Sequence, residues 1–186
     1  MGIRKSIESC RELGCAMVVL HLAHGFPENE FDVRLAQVLK SLDEIIPLAE
    51  SSGVKLACEN TYDDTAVRIH KAVFERRTHP LLGLCYDSSH ANLTERPFEF
   101  LDIYCDRLFI THLSDNRGWK DDHLIPGLGI IDWEEVTSRI KAAGYEGPLL
   151  FEVERVSSGY SDVEPVMFTR EAYRKATWVA KVYENI

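Results

Sequence analysis

No stretch of this chain approaches the roughly 20 consecutive apolar residues that a membrane-spanning helix requires, so the sequence predicts no membrane partner. The N-terminal MGIRKSIESCRELG is amphipathic and lacks the apolar core of a secretory signal. Cysteine is sparse and irregularly spaced: five residues, an odd number, with no Cys-x-x-Cys pair. That excludes a disulfide framework or a zinc finger and leaves Cys58 and Cys85 as packed core thiols in a cytoplasmic protein. Basic residues are in deficit, 21 Lys and Arg against 30 Asp and Glu for a net charge of −9. This argues against a nucleic-acid partner, because phosphate binding is driven by Lys and Arg displacing counterions. Neither a G-x-G-x-x-G nor a Walker pattern is present, and the Gly127/Gly129 turn is a weak phosphate signal. No Pro/Gly/Ser-rich linker divides the 186 residues, so a single domain over 1–186 is expected.

What the chain does have is alternation. Leu35, Val38, Leu39, Leu42, Ile45, Ile46 and Ala49 follow helical spacing. They predict a helix closed at Gly53, with Pro47 as a local irregularity, and the strand VKLACE follows at once. The pattern recurs: a helix over 3–13 before AMVVLH, 65–76 before LGLCYD, 97–104 before RLFITHL, 133–143 before PLLFEV, and a closing helix over 163–183. Strands alternating with helices predict βα units on a parallel sheet.

The strand ends agree with one another. Side chains alternate along a strand, so Glu59 shares a face with Ala57, Asp87 with Cys85 and Gly83, and Glu152 with Leu150. Each polar residue stands at a C-terminal strand end, where a βα barrel builds its active site. Asp87, in LLGLCYDSSHANL, poses the sharpest question. Burying an ionised carboxylate costs roughly several kcal/mol without compensation, so Asp87 either caps the next helix or faces a cation. Taken singly, Glu59 also reads as a loop carboxylate, His112 as a core histidine and Glu152 as part of a solvated edge. Taken together, Glu59, Asp87, His112 and Glu152 favour a divalent cation, since three carboxylates in one place repel unless neutralised. Oxygen ligands with one imidazole suit Mn, Mg, Co or Zn.

Further polar residues surround these. His90, one helical turn beyond Asp87, could bond a substrate hydroxyl, bind a second metal or face solvent at a helix start. His21 closes its strand in a comparable way, with His24 close behind. The connection from Ser114 to Trp133 is longer than a usual βα loop and carries Arg117, Trp119, Asp121, His123 and the turn PGLG. It reads as a lid bearing substrate contacts.

The segments LACEN, LCYDSSHANL, ITHLSDNRG, DDHLIPGLGIIDW and GYEGPLLFEVE, in that order, resemble the sugar phosphate isomerase/epimerase family of xylose isomerase-like TIM barrels, within the superfamily of AP endonuclease family 2. The resemblance implies an α/β fold of (β/α)8 barrel type. It also implies a single divalent metal held by Glu59, Asp87, His112 and Glu152, with Glu59 and Glu152 as the acid/base pair and His90 as a substrate contact. Arg117 is a looser match to a substrate-binding arginine, and His21, Asp121 and His123 join it as substrate-binding candidates. The implied reaction moves a proton alpha to the carbonyl of a small sugar, sugar phosphate or polyol. A closed barrel takes about 250 residues, so an N-terminally truncated barrel of about five βα units is expected.

Two alternatives stay open. One is a non-catalytic barrel remnant acting as a binding or assembly module, since so few strands cannot close an eight-stranded barrel. The other is a zinc-dependent apurinic endonuclease-like phosphodiesterase, with His21, Glu59, Asp87, His90, His112, Asp121, His123 and Glu152 as ligands, which the acidic charge opposes. Open edges at AMVVLH and PLLFEV predict a homo-oligomer.

Overall fold

The computed structural model describes residues 2–186, which form two compact units with a boundary between Cys85 and Tyr86, inside a strand. The first unit opens with α1 (Gly2–Leu13), whose inward face buries Ile7. β1 (Met17–Leu20) follows, and then α2 (Phe31–Ser52) buries Leu35, Leu42, Ile45 and Ala49 along one stripe. Each of the leucine and isoleucine side chains contributes about 1.5–3 kcal/mol on burial. This packing carries the helix straight through Pro47 despite the hydrogen bond that proline removes. Gly53 ends it as expected, in the left-handed conformation (φ 66°) that a side chain would resist.

β2 (Lys55–Glu59) leads to α3 (Asp64–Arg76), whose first turn is capped by Asp63 accepting from the Ala66 amide. β3 (Leu82–Asp87) comes next. β1 and β2 pair in parallel from Met17↔Lys55 to Leu20↔Cys58, and β2 and β3 in parallel from Leu56↔Leu82 to Glu59↔Cys85. Leu56, Ala57, Cys58, Leu84 and Cys85 are fully buried, as strands covered on both faces require.

The second unit begins with the end of β3 and runs directly into α4 (Ser88–Asn92), a helix too short to show as periodicity. α5 (Glu99–Tyr104), β4 (Leu108–His112), α6 (Trp133–Ala142) and α7 (Pro165–Asn185) follow. Asp132 caps α6 by accepting from the Glu134 and Glu135 amides, and proline stands in the first turn of α7, where its missing N–H costs nothing. In the first unit β1, β2 and β3 stand side by side in that order.

The expected fifth strand, PLLFEV, is reduced to a single parallel bridge between Leu113 and Phe151. Leu113 N–H donates to Leu150 O at 2.8 Å, and Glu152 N–H returns to Leu113 O at 3.1 Å. The ladder stops there for physical reasons. Pro148 has no N–H to give, the Leu150 N–H is taken by the Thr111 hydroxyl at 3.2 Å, and the Glu154 N–H by His123 O at 2.7 Å. Among the described residues no helix is long and apolar enough to cross a membrane.

Candidate active site

β2, β3 and β4 each end on a residue singled out by the sequence: Glu59, Asp87 and His112. In the first unit Glu59 is buried, with 4% of its surface exposed, and its Oε2 lies 3.2 Å from Nε2 of His21, the residue after β1. The His24 ring stands edge-on to His21 at 6.1 Å.

In the second unit the cap reading of Asp87 is met. Asp87 is wholly buried, and its Oδ1 accepts the His90 amide at 2.7 Å, so it does cap α4. It also stands in a ligand cluster: Asp87, His112 and Glu152 each offer a ligand atom, and these atoms lie within 4.8 Å of one another. Within that cluster Nδ1 of His112 is 2.8 Å from Oε2 of Glu152. Two carboxylates and an imidazole converging on one point, one carboxylate fully buried, form a donor set suited to a hard or borderline divalent cation. The Glu152 side chain is half-exposed, which leaves it within reach of a small molecule.

Beside this cluster Asp121 is gripped from three directions. Ser89 Oγ donates to its Oδ1 at 2.7 Å, while Nε2 of His90 and Nε2 of His123 stand 3.1 and 3.0 Å from its Oδ2. Burial opposes ionisation of Asp121, but the hydrogen bonds from His123, His90 and Ser89 outweigh it and hold its carboxyl well below the usual carboxylate range. The bond to Asp121 in turn raises His123 from its ordinary value to about 9, against the effect of burial. Nδ1 of His123 lies 3.2 Å from the carbonyl oxygen of Glu152. A carbonyl can only accept, so both ring nitrogens carry hydrogen and the ring is an imidazolium.

The loop from Ser114 to Trp133 is knotted around a residue that sequence reasoning did not single out. Asp115 is wholly buried and accepts from the amides of Asn116 (2.9 Å), Gly127 (2.7 Å) and Ile131 (3.1 Å) and from the Trp133 indole (3.3 Å). Its backbone pairs with Leu124, N to O in both directions at 2.8 Å. Asn116, also buried, donates to Ser89 O at 2.7 Å and accepts from Gly118 N at 2.8 Å. Arg117 pairs with Asp122 at 3.3 Å, and Trp119 projects with 72% of its surface exposed. The run Ser-Asp-Asn after a strand end was the available signal, since Asp and Asn side chains bond nearby backbone amides. Nothing in the sequence shows that these side chains would be buried. All five cysteines are free, and Cys58 and Cys85 are buried as expected.

A family model described as xylose isomerase-like TIM barrel matches residues 2–177, across both units. The protein y4fM of Sinorhizobium fredii is 33% identical over 159 residues, which make up 81% of this chain and 51% of that protein. Fructoselysine 3-epimerase of Shigella flexneri is 26% identical over 185 residues, 93% of this chain and 63% of the epimerase. The chain therefore spans between half and two thirds of the length of these two relatives. A crystal structure of a D-tagatose 3-epimerase-like protein superposes with a TM-score of 0.79 at 26% identity, covering 98% of this chain and 67% of that one.

Proposed function

Because the chain belongs to the xylose isomerase-like TIM barrel family, we propose that it serves as a divalent-metal-dependent sugar or sugar-phosphate isomerase or epimerase. The observation that carries this reading is the convergence of Asp87, His112 and Glu152, with ligand atoms within 4.8 Å of one another. The similarity to fructoselysine 3-epimerase supports the substrate class. The family resemblance adds Glu59, the last residue of β2, as a fourth ligand, and Mn, Mg, Co or Zn suits the donors. When bound, the cation supplies Lewis-acid stabilisation of charge on the substrate carbonyl oxygen.

The protein's own groups do the rest. Glu152 takes the proton from the carbon alpha to the carbonyl and holds it on its carboxylate. Glu59 delivers a proton to the opposite face, which inverts that carbon. Return of the proton to the adjacent carbon gives isomerisation instead. His90 bonds a substrate hydroxyl, with Arg117, Asp121 and His123 completing the polar surroundings; His21 is a further substrate-binding candidate. The net charge of −9 favours a small-molecule substrate over nucleic acid.

The test is incorporation of solvent deuterium into a panel of ketoses, inososes and their phosphates by the Mn-loaded protein. Exchange into at least one of them is expected, and Glu152→Gln should abolish it with the fold retained, because the amide keeps the shape and loses the base. Exchange that survives this substitution would remove Glu152 from the mechanism. Incision of an abasic-site duplex in the same preparation would instead favour the phosphodiesterase reading.

A further inference from the structure

His123 is the only non-glycine residue with positive φ among the described residues, at φ 49°. A side chain held in that region resists its own backbone, and such conformations persist where surrounding contacts enforce them. The contacts here are clear. The adjacent Leu124 is fastened to Asp115 by two backbone hydrogen bonds of 2.8 Å, and the amide after it, Ile125 N–H, donates to Ser158 Oγ at 3.1 Å. The His123 backbone is therefore fixed independently of its ring.

From this anchor His123 reaches the Glu152 segment twice. Its carbonyl accepts the Glu154 N–H at 2.7 Å, and Nδ1 faces the Glu152 carbonyl at 3.2 Å. The opposite nitrogen is held by Asp121 at 3.0 Å, so the ring cannot rotate without losing both bonds. Glu152 needs such help, because the segment that carries it has only the one bridge to Leu113 in place of a strand ladder.

We propose that His123 is a positioning residue for Glu152: the left-handed backbone aims the imidazole so that it clamps the Glu152 backbone and sets the carboxylate toward Asp87 and His112. The inference rests on the proposed metal-centre reading for its functional consequence, and on geometry alone for the clamp. Partners behind a ligand commonly change metal affinity 10- to 100-fold when removed.

The substitution His123→Gly is a clean probe, because glycine accepts positive φ and keeps the carbonyl that Glu154 uses. His123→Asn is the matching rescue, since asparagine tolerates the same backbone and returns an amide donor. With Mn2+ alone as the probe, followed by the electron paramagnetic resonance of the free ion, His123→Gly should weaken binding about tenfold or more, and His123→Asn should recover part of the loss. In a Glu152→Gln background the same glycine substitution should have little further effect, because the two act through one group. Wild-type Mn2+ affinity in His123→Gly, or a full additive loss in the double variant, would overturn the proposal. Amide hydrogen exchange at 152–154 separates the two readings. If the wild-type protein binds no Mn2+, the metal centre fails, and the clamp stands only if His123→Gly speeds exchange there; unchanged exchange refutes it.

Discussion

Oε2 of Glu152 stands 2.8 Å from Nδ1 of His112, a carboxylate and an imidazole brought together from opposite sides of the Leu113–Phe151 bridge. A divalent cation would draw on both groups and on buried Asp87. Isothermal titration with Mn2+ is therefore expected to show one site. Asp87→Asn and His112→Ala should each weaken it by more than the roughly 10- to 100-fold typical of partners behind the ligands. Unaltered affinity in both variants would mean that the cation, if bound, sits elsewhere.

Asp115 is expected to matter for stability more than any residue of the proposed metal set. Its carboxylate satisfies three amides and an indole in a buried place. Asp115→Ala would leave those donors unpaired, at a cost of about 1–3 kcal/mol for each one left buried and unsatisfied. Urea unfolding followed by circular dichroism should show a clearly lowered midpoint, with a smaller shift for Asp115→Asn, which keeps one acceptor oxygen. A midpoint within error of wild type would show that the loop is not held by this carboxylate.

Gly129 offers a second test of the same knot. A Cβ there would collide with the Asn116 carbonyl and the Asp115 carboxylate, of which the first is backbone and cannot swing away. Gly129→Ala should destabilise by roughly 1–3 kcal/mol, the usual cost of overpacking. Thermal melts should register it as a lowered midpoint, whereas Gly2→Ala, where a Cβ meets nothing within 4 Å, should not.

We propose that the chain self-associates. β1 is the terminal strand of the sheet order, and its first three residues are only partly buried, whereas β3 is buried throughout. Such an edge gains by pairing with a second copy. Light scattering at micromolar concentration should report a dimer or larger species. A well-folded monomer would refute the association and leave the ligand residues of the second unit untouched.

Most of the fold was legible because it is written in local periodicity. The helical spacing from Leu35 to Ala49, the turn glycine at 53 and the alternating runs ending in Glu59, Asp87 and His112 each reflect a rule that acts within a few residues. For the same reason three of the candidate ligands could be located: Glu59, Asp87 and His112 are each the last residue of a strand. What local rules cannot specify is where a hydrogen-bonding group spends its bonds. PLLFEV has the composition of a strand, yet its ladder is cut to one bridge because the Leu150 and Glu154 amides turn to Thr111 and His123. Asp115 reads as one more polar loop residue, and its role depends on donors as far along the chain as Gly127, Ile131 and Trp133. The left-handed turn at His123 likewise has no decisive local signature, because even histidine, enriched at positive φ, adopts it only occasionally. The closing of the loop onto Asp115, the Ile125 bond to Ser158 and the reach of Glu154 to the His123 carbonyl hold it there.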